Sequence, residues 1–364
     1  MNPKFSSLLL IVSLLVSHMA ISQDTPNDDL HITGFIDTYY SYDFSQPNTS
    51  IRQPFLFNHN RHNEFNINLA LIRLDYEKQR YHARIALQAG TYAQDNYAAE
   101  ENMLQRLNEA YVGLSLNRAN TLWLDAGVFS SHLGFASALS IENFTLTRPL
   151  VAESSPYFLS GAKLSYSPND RWFLMAVATN GWQRIQRVPG NSLISMGTQV
   201  QFLPNENVLL NWSTFIGTED PDETRRMRYF NNLYATFSLS EKLDLITGFD
   251  FGWQQTAKNS DTYDMWYGPV VVAHMQWNQR WATGLRVEYF DDENEIVTSS
   301  SGPAGFKTTG VSLNMDYQPD NRIMCRIEGR YFHSPDDLFD DISSLSNQNF
   351  FMTASIAILF DKSW

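Results

Sequence analysis

His59, His62 and Glu64 stand in an HxxHxE spacing and carry the donor types of a metal site. The stretch around them is polar throughout, which suits a solvated loop better than a coordination sphere, so no metal is expected there. Ser131 and His132 put a nucleophile beside a base, but adjacent residues on an extended chain point to opposite faces, so the pair lacks catalytic geometry. One cysteine, Cys325, rules out an internal disulfide framework and any Cys-based metal site. No cofactor and no enzymatic activity are expected.

A larger set of charges recurs at every second position of otherwise apolar segments. The cations are Arg84, Lys163, Arg286, Arg326 and Arg330; the anions are Asp37, Glu64, Glu109, Asp125, Asp244, Asp250, Glu288, Asp316 and Glu328. At that period they share one face of each strand, and on a face enclosing water they would set an electrostatic barrier for ions. The acidic excess predicts a weak preference for cations. The plainer reading is that each charge pairs with one on a neighbouring strand. His132, Glu142, Arg148 and Glu153 lie in the longest polar stretch, from Ser130 to Tyr157, beside Phe135, Phe144, Leu146 and Leu150. That loop either folds inward as a constriction or packs outside on its neighbours. Arg184 and Arg187, and the cluster Arg225, Arg226 and Arg228, could meet anionic lipopolysaccharide; pairing with Glu219, Asp220, Asp222 and Glu223 is the preferred reading.

The elements that would position these residues are strands of roughly ten residues joined alternately by short and long connections. The short turns are Glu77–Arg80, Asn117–Asn120, Ser167–Arg171, Leu203–Glu206, Ser240–Lys242, Asn278–Arg280 and Gln318–Asn321, all rich in turn-forming residues. Longer loops fall at about 44–62, 93–105, 130–157, 182–190, 218–228, 255–264, 291–305 and 334–348. Seven turns and eight loops connect sixteen strands. Alternation is explicit within the segments. Phe65, Ile67, Leu69 and Leu71 oppose Glu64, Asn66, Asn68 and Ala70; Thr283, Leu285, Val287 and Tyr289 oppose Gly284, Arg286, Glu288 and Phe290; Cys325, Ile327 and Tyr331 oppose Arg326, Glu328 and Arg330. Phe350, Met352, Ala354, Ile356, Ile358 and Phe360 share a face in the last strand, with Trp364 in the same parity.

Aromatic rings bracket the short turns: Tyr76 and Tyr81, Tyr166 and Trp172, Trp277 and Trp281, then Tyr317. Rings at strand ends suit a bilayer interface, whereas rings of a soluble sandwich lie mid-strand in its core. The expected fold is therefore an all-β transmembrane antiparallel up-and-down barrel of about sixteen strands, with short periplasmic turns and long extracellular loops. Closure pairs every backbone amide inside hydrocarbon, and at this strand count the wall encloses more room than side chains fill.

The N-terminus agrees. Lys4, the apolar run 5–17 and Ala20-Ile21-Ser22 form a secretory signal, so 1–22 would be removed, 23–30 would be a short periplasmic segment and 31–364 the barrel. A net charge of −13, one unit more negative once Lys4 leaves, excludes a basic nucleic-acid-binding surface. Mean hydropathy is −0.32 with 14% aromatic residues, values that by themselves decide nothing.

Several stretches also resemble a known family. His62-Asn63-Glu64-Phe65-Asn66-Ile67-Asn68, Gln88-Ala89-Gly90-Thr91-Tyr92, Leu122-Trp123-Leu124-Asp125-Ala126-Gly127, Ser154-Ser155-Pro156-Tyr157 with Ser160-Gly161-Ala162-Lys163, and Asn180-Gly181-Trp182-Gln183-Arg184 together resemble the OmpL-like outer-membrane β-barrel porins, over about 31–364. The resemblance implies an outer-membrane protein that passes small hydrophilic solutes, and it names no solute. Lipids, lipopolysaccharide and the barrel-assembly machinery would be its partners, with a homotrimer by analogy. The rival expectation is a non-conducting barrel that serves as an adhesin or structural protein; a rim enzyme ranks lower.

Overall fold

The structure is a computed structural model that describes residues 30–342 and 344–363. The predicted signal peptide, nearly all of 23–30 and Trp364 lie outside the described residues. Sixteen antiparallel strands close into one barrel. In chain order they are β1 (Leu30–Asp43), β2 (Glu64–Lys78), β3 (Tyr81–Ala89), β4 (Leu107–Ser115), β5 (Leu122–Ser130), β6 (Phe158–Asn169), β7 (Trp172–Thr179) and β8 (Ser195–Asn205). There follow β9 (Val208–Gly217), β10 (Arg228–Ser238), β11 (Leu243–Gln255), β12 (Tyr263–Gln276), β13 (Trp281–Asp292), β14 (Phe306–Asp320) and β15 (Ile323–His333). A small hairpin, β16 (Phe339–Asp340) and β17 (Leu345–Ser346), precedes the closing strand β18 (Gln348–Ser363). Each barrel strand pairs with its neighbour in sequence, and β18 closes the ring against β1, from His31 opposite Ser363 to Asp43 opposite Phe351.

Short connections gather at one end of the barrel and long ones at the other. The long loops are L1 (44–63), L2 (90–106), L3 (131–157), L4 (180–194), L5 (218–227), L6 (256–262), L7 (293–305) and L8 (334–347). L2 contains the short helix α1 (Thr91–Asn96), and L3 contains α2 (Leu150–Glu153).

Alternation in the strands translates into an apolar outside. Ile72, Ile85, Val112, Leu124, Met196, Leu210, Val271, Leu285, Leu313 and Ile356 all point out and are exposed, while their sequence neighbours point inward and are buried or partly buried. So large a continuous apolar surface is untenable in water and matches hydrocarbon. Among the described residues no helix is long and apolar enough to cross a membrane, so the strands provide the spans.

β2 departs from simple parity. Asp37 pairs with Leu69 and Thr38 with Ile67, leaving Asn68 as an extra residue in β2. Such a bulge exchanges the two faces beyond it. Phe65 and Ile67 face out, but Leu69 and Leu71 turn inward and are buried, while Ile72 and Leu74 take the outer face. The single apolar face expected from Phe65 to Leu71 is therefore corrected to two half-faces. Asn68 uses its position: its amide donates to Asp37 Oδ2 at 3.2 Å and its side-chain oxygen receives the His59 backbone N–H at 3.0 Å.

Candidate functional site: a lumen crossed by the third loop

L3 leaves the end of β5, crosses the interior and returns to β6, and its contacts trace the route. His132 donates from Nε2–H to Thr214 O of β9 (2.9 Å), and its own carbonyl accepts from the Ser213 hydroxyl at 2.9 Å. Burial pulls the His132 imidazole down to about 4, so it is neutral at physiological pH. Gly134, at φ +89°, donates its N–H to Asn232 Oδ1 of β10 at 3.1 Å. Further along, the Phe144 ring stacks on His274 of β12 at 4.6 Å. The Phe144 carbonyl lies so near Gly284 of β13 that a Cβ there would come within 2.3 Å of it.

The firmest attachment is to the wall of β13, β14 and β15. Thr147 donates from its backbone N–H and its hydroxyl to the two oxygens of Glu328, both at 2.7 Å. Arg286 donates to Thr147 O at 2.6 Å and to Glu328 at 2.8 Å. Arg330 donates to Glu288 at 2.5 Å and to Arg148 O at 2.9 Å, and Glu288 receives the Leu150 N–H at 2.7 Å. Arg326, paired with Asp316 at 2.8 Å, grips Ser140 O at 2.7 Å and Asn143 O at 2.6 Å. The side chains of Arg286, Glu288, Glu328 and Arg330 are at most 1% exposed. These charges point inward, yet the loop and not water covers them. A buried ion pair is tolerable only when its remaining donors and acceptors are satisfied, and L3's backbone provides the partners.

On the far side, β2 to β6, the inward cations keep contact with water. Arg73 meets Asp75 at 2.9 Å; Arg84 meets Asp75 and, at 3.1 Å, Glu109; Lys163 lies 3.8 Å from Asp125, which also meets His82 at 2.5 Å. The side chains of Arg73, Arg84 and Lys163 are 27%, 17% and 21% exposed. Aromatic rings interleave with them: Lys163 sits over Tyr111 and Phe129, and His82 stacks on Trp123 at 4.7 Å. The cross-strand pairing considered from sequence is therefore what these residues do.

The remaining charges distribute around the barrel. Asp37 binds His59 at 2.8 Å beneath L1. Asp250 is buried with Asn232 as its hydrogen-bond donor. Asp244 meets Ser238 at 2.8 Å and His274 at 3.9 Å near the short-turn end. Glu64 sits at the rim with Asn66. His59, His62 and Glu64 thus go to separate partners, since His62 accepts from the Asp43 N–H. The expectation of a solvated loop is corrected for His59, which is 2% exposed. Among the described residues no cluster of three or more His, Cys, Asp or Glu has the arrangement of a metal site.

L1 and L4 complete a cap over the long-loop end. Phe55 packs on Phe306 and Phe332, Trp182 packs edge-on against Phe215 and Phe230, and Leu150 and Val151 of α2 join the same cluster. Glu153 links L3 to L1, receiving Phe57 N–H at 3.0 Å and Tyr157 OH at 2.7 Å. Arg148 lies 3.8 Å from the Tyr157 ring centre. The outer basic residues pair as preferred: Arg184 with Glu219, Arg225 with Asp222, Arg226 with Asp220 at 2.8 Å. Arg228 instead turns in, against Gln254 and the Trp182 ring.

Tyr76, Tyr81, Tyr166, Trp172, Trp277 and Trp281 project outward at the short-turn end, and Trp281 packs on Tyr317 at 4.7 Å. A second series at the long-loop end went unread in the sequence: Tyr40 with Phe65, Phe44 with Phe350, Tyr229 with Trp253, and Tyr267 with Tyr289. Their signal was present as alternate aromatics at the loop-proximal ends of strands.

A closed antiparallel barrel with an apolar exterior and a charged, loop-crossed interior defines the outer-membrane diffusion channels. The chain belongs to the family described as "Putative beta-barrel porin-2, OmpL-like", whose model matches residues 29–360. It is accordingly a porin of the bacterial outer membrane, with a role in transport. Among solved structures it is similar to the outer-membrane channel DcaP of Acinetobacter baumannii (TM-score 0.58, 9% identity, covering 93% of this chain and 100% of that one). It is also similar to an anion-selective porin from Comamonas acidovorans (0.62, 9%, 91% and 99%) and to Salmonella typhi OmpF in complex with daunomycin (0.62, 10%, 93% and 100%). At such identity these likenesses concern the fold alone. No curated protein sequence matches significantly.

Proposed function

We propose that this porin passes small hydrophilic solutes through the part of the lumen between L3 and the β2–β6 wall, with a weak preference for cations. The observation that carries this reading is the difference in water contact between the two walls. Arg73, Arg84 and Lys163 remain partly exposed, whereas the charges of β13–β15 are sealed under L3. On this reading L3 is the constriction: His132 and Thr147 anchor it, Glu142 faces the passage, and Arg148 and Glu153 tie its return arm to the cap. The outward rings from Tyr76 to Tyr317 would seat at one headgroup layer and the second series at the other. Lipopolysaccharide around the loops, the assembly machinery during insertion and a homotrimer are the partners this role implies.

Planar-bilayer recording under a salt gradient tests the reading. Stepwise conductance with a cation-directed reversal potential supports it; an anion-directed potential overturns the preference. The apolar cap of Phe55, Trp182, Leu150 and their neighbours favours a second reading, a closed barrel acting as an adhesin or structural protein. Folded protein that gives no current would select that one.

A further inference from the structure

The inward charges of the β2–β6 wall cancel. Arg73, Arg84 and Lys163 face Asp75, Glu109 and Asp125, each in ion-pair contact with a neighbour of opposite sign. One carboxylate over this wall stands outside that balance. Glu142, in the single 3-10 turn Ser140–Glu142 of L3, receives a hydrogen bond from the Ser137 hydroxyl. Among the described residues it has no cationic side chain within ion-pair distance. Arg73 of β2 and Arg84 of β3 act on it only at longer range, as does Glu109 of β4 with the opposite sign.

The position of Glu142 is fixed from behind. Arg326 holds the carbonyls of Ser140 and Asn143, on either side of it, and Ser137 is itself tied to Asn143 and Arg148. Leu139 and Ile141 pack among Phe35, Leu69 and Leu71 of β1 and β2. The carboxylate is therefore presented on a rigid turn, half-buried, beside a wall whose own charge sums to nothing.

We infer that Glu142 sets the ion preference of this passage and that its protonation switches the preference off. The inference rests on the diffusion reading above and names the residue behind its cation preference. Burial pushes the Glu142 carboxyl up to about 7, so the group is largely neutral at pH 6 and largely ionised at pH 8.5. Cation preference then rises with pH across that interval. A unit charge at roughly 8 Å in water-like dielectric, partly screened by salt, changes the local ratio of cations to anions about twofold or more. His82 on Asp125 and His274 beside Asp244 are the other imidazoles on these inward faces, so the variants must separate them from Glu142.

The experiment is the reversal potential of single channels in a potassium chloride gradient, measured at intervals from pH 6 to pH 8.5. Wild type, Glu142→Gln and Asp244→Asn are compared, with heat-modifiable gel mobility as the check on folding. The expected result is a cation-to-anion permeability ratio that rises about twofold with pH in wild type and in Asp244→Asn. In Glu142→Gln the ratio stays at the low-pH value throughout. A flat wild-type profile, or a Glu142→Gln channel that keeps the pH dependence, overturns the assignment while leaving a conducting porin intact. Absence of current in all three folded proteins overturns the diffusion reading itself, and this inference with it.

Discussion

The wall of β13–β15 and the wall of β2–β6 carry the same chemistry in different surroundings. Each sets three cations against three carboxylates: Arg286, Arg326 and Arg330 with Glu288, Glu328 and Asp316 on one side, Arg73, Arg84 and Lys163 with Asp75, Glu109 and Asp125 on the other. On the first wall L3 takes most of the surplus donors and acceptors; on the second the cations are left partly to water. A charge under L3 is worth its partners, because removing one leaves the other dry and alone. A charge on the open wall is worth its field, because water replaces any lost partner. One face of the lumen holds the loop and the other meets whatever passes.

Breaking the first side has the largest expected effect. Glu328→Ala takes from Arg286 the nearer of its two carboxylates, leaving Glu288 at 3.1 Å, and strands the two donors of Thr147. It should cost about 3–5 kcal/mol in reversible urea unfolding and raise single-channel conductance as L3 loosens. An unchanged midpoint with unchanged conductance would show that L3 does not depend on this pair. On the open side, Lys163→Gln should cost less than Glu328→Ala, about 1 kcal/mol in the unfolding midpoint, and displace the reversal potential toward cations. A large loss of stability there would erase the contrast between the walls.

His132 sharpens the comparison through pH. Its native pKa is depressed from 6.5 to about 4, so its contribution to L3's attachment is complete above pH 6.5 and is lost as pH falls from there to about 4. Current noise from loop movement should grow over that interval, and the variant His132→Gln should remove the dependence. The smallest effect belongs to the outside of the barrel. Trp281→Ala deletes a ring packed on Tyr317 and should cost about 0.5–1.5 kcal/mol beyond the area lost, read by unfolding in lipid.

Much of the wall was legible in the sequence. In β13 and β15 the period of two runs unbroken, so Arg286, Glu288, Arg326, Glu328 and Arg330 could be put on one face from spacing alone. The seven turns and eight loops followed from turn-forming residues between those runs. Asn68 was not legible as a bulge, because Asn66 and Asn68 are both polar and nothing local marks one as extra; its role needs Asp37 and His59 from other elements. Nor could spacing tell a charge facing water from one facing L3. That distinction arises when Thr147 meets Glu328, 181 residues away, and local pattern carries no trace of it.

The ring itself has a consequence in time. Its seam joins β1 to β18, and the His31–Ser363 side-chain contact spans 332 positions. Until that seam forms, both strands present unpaired edges, each a template for the wrong partner. Contacts so distant in sequence are slow to find, because a long loop must be closed before any pairing repays it. The edge of β1 stays open while β18 is still arriving, so assembly is expected to fail most often at the final weld of the barrel.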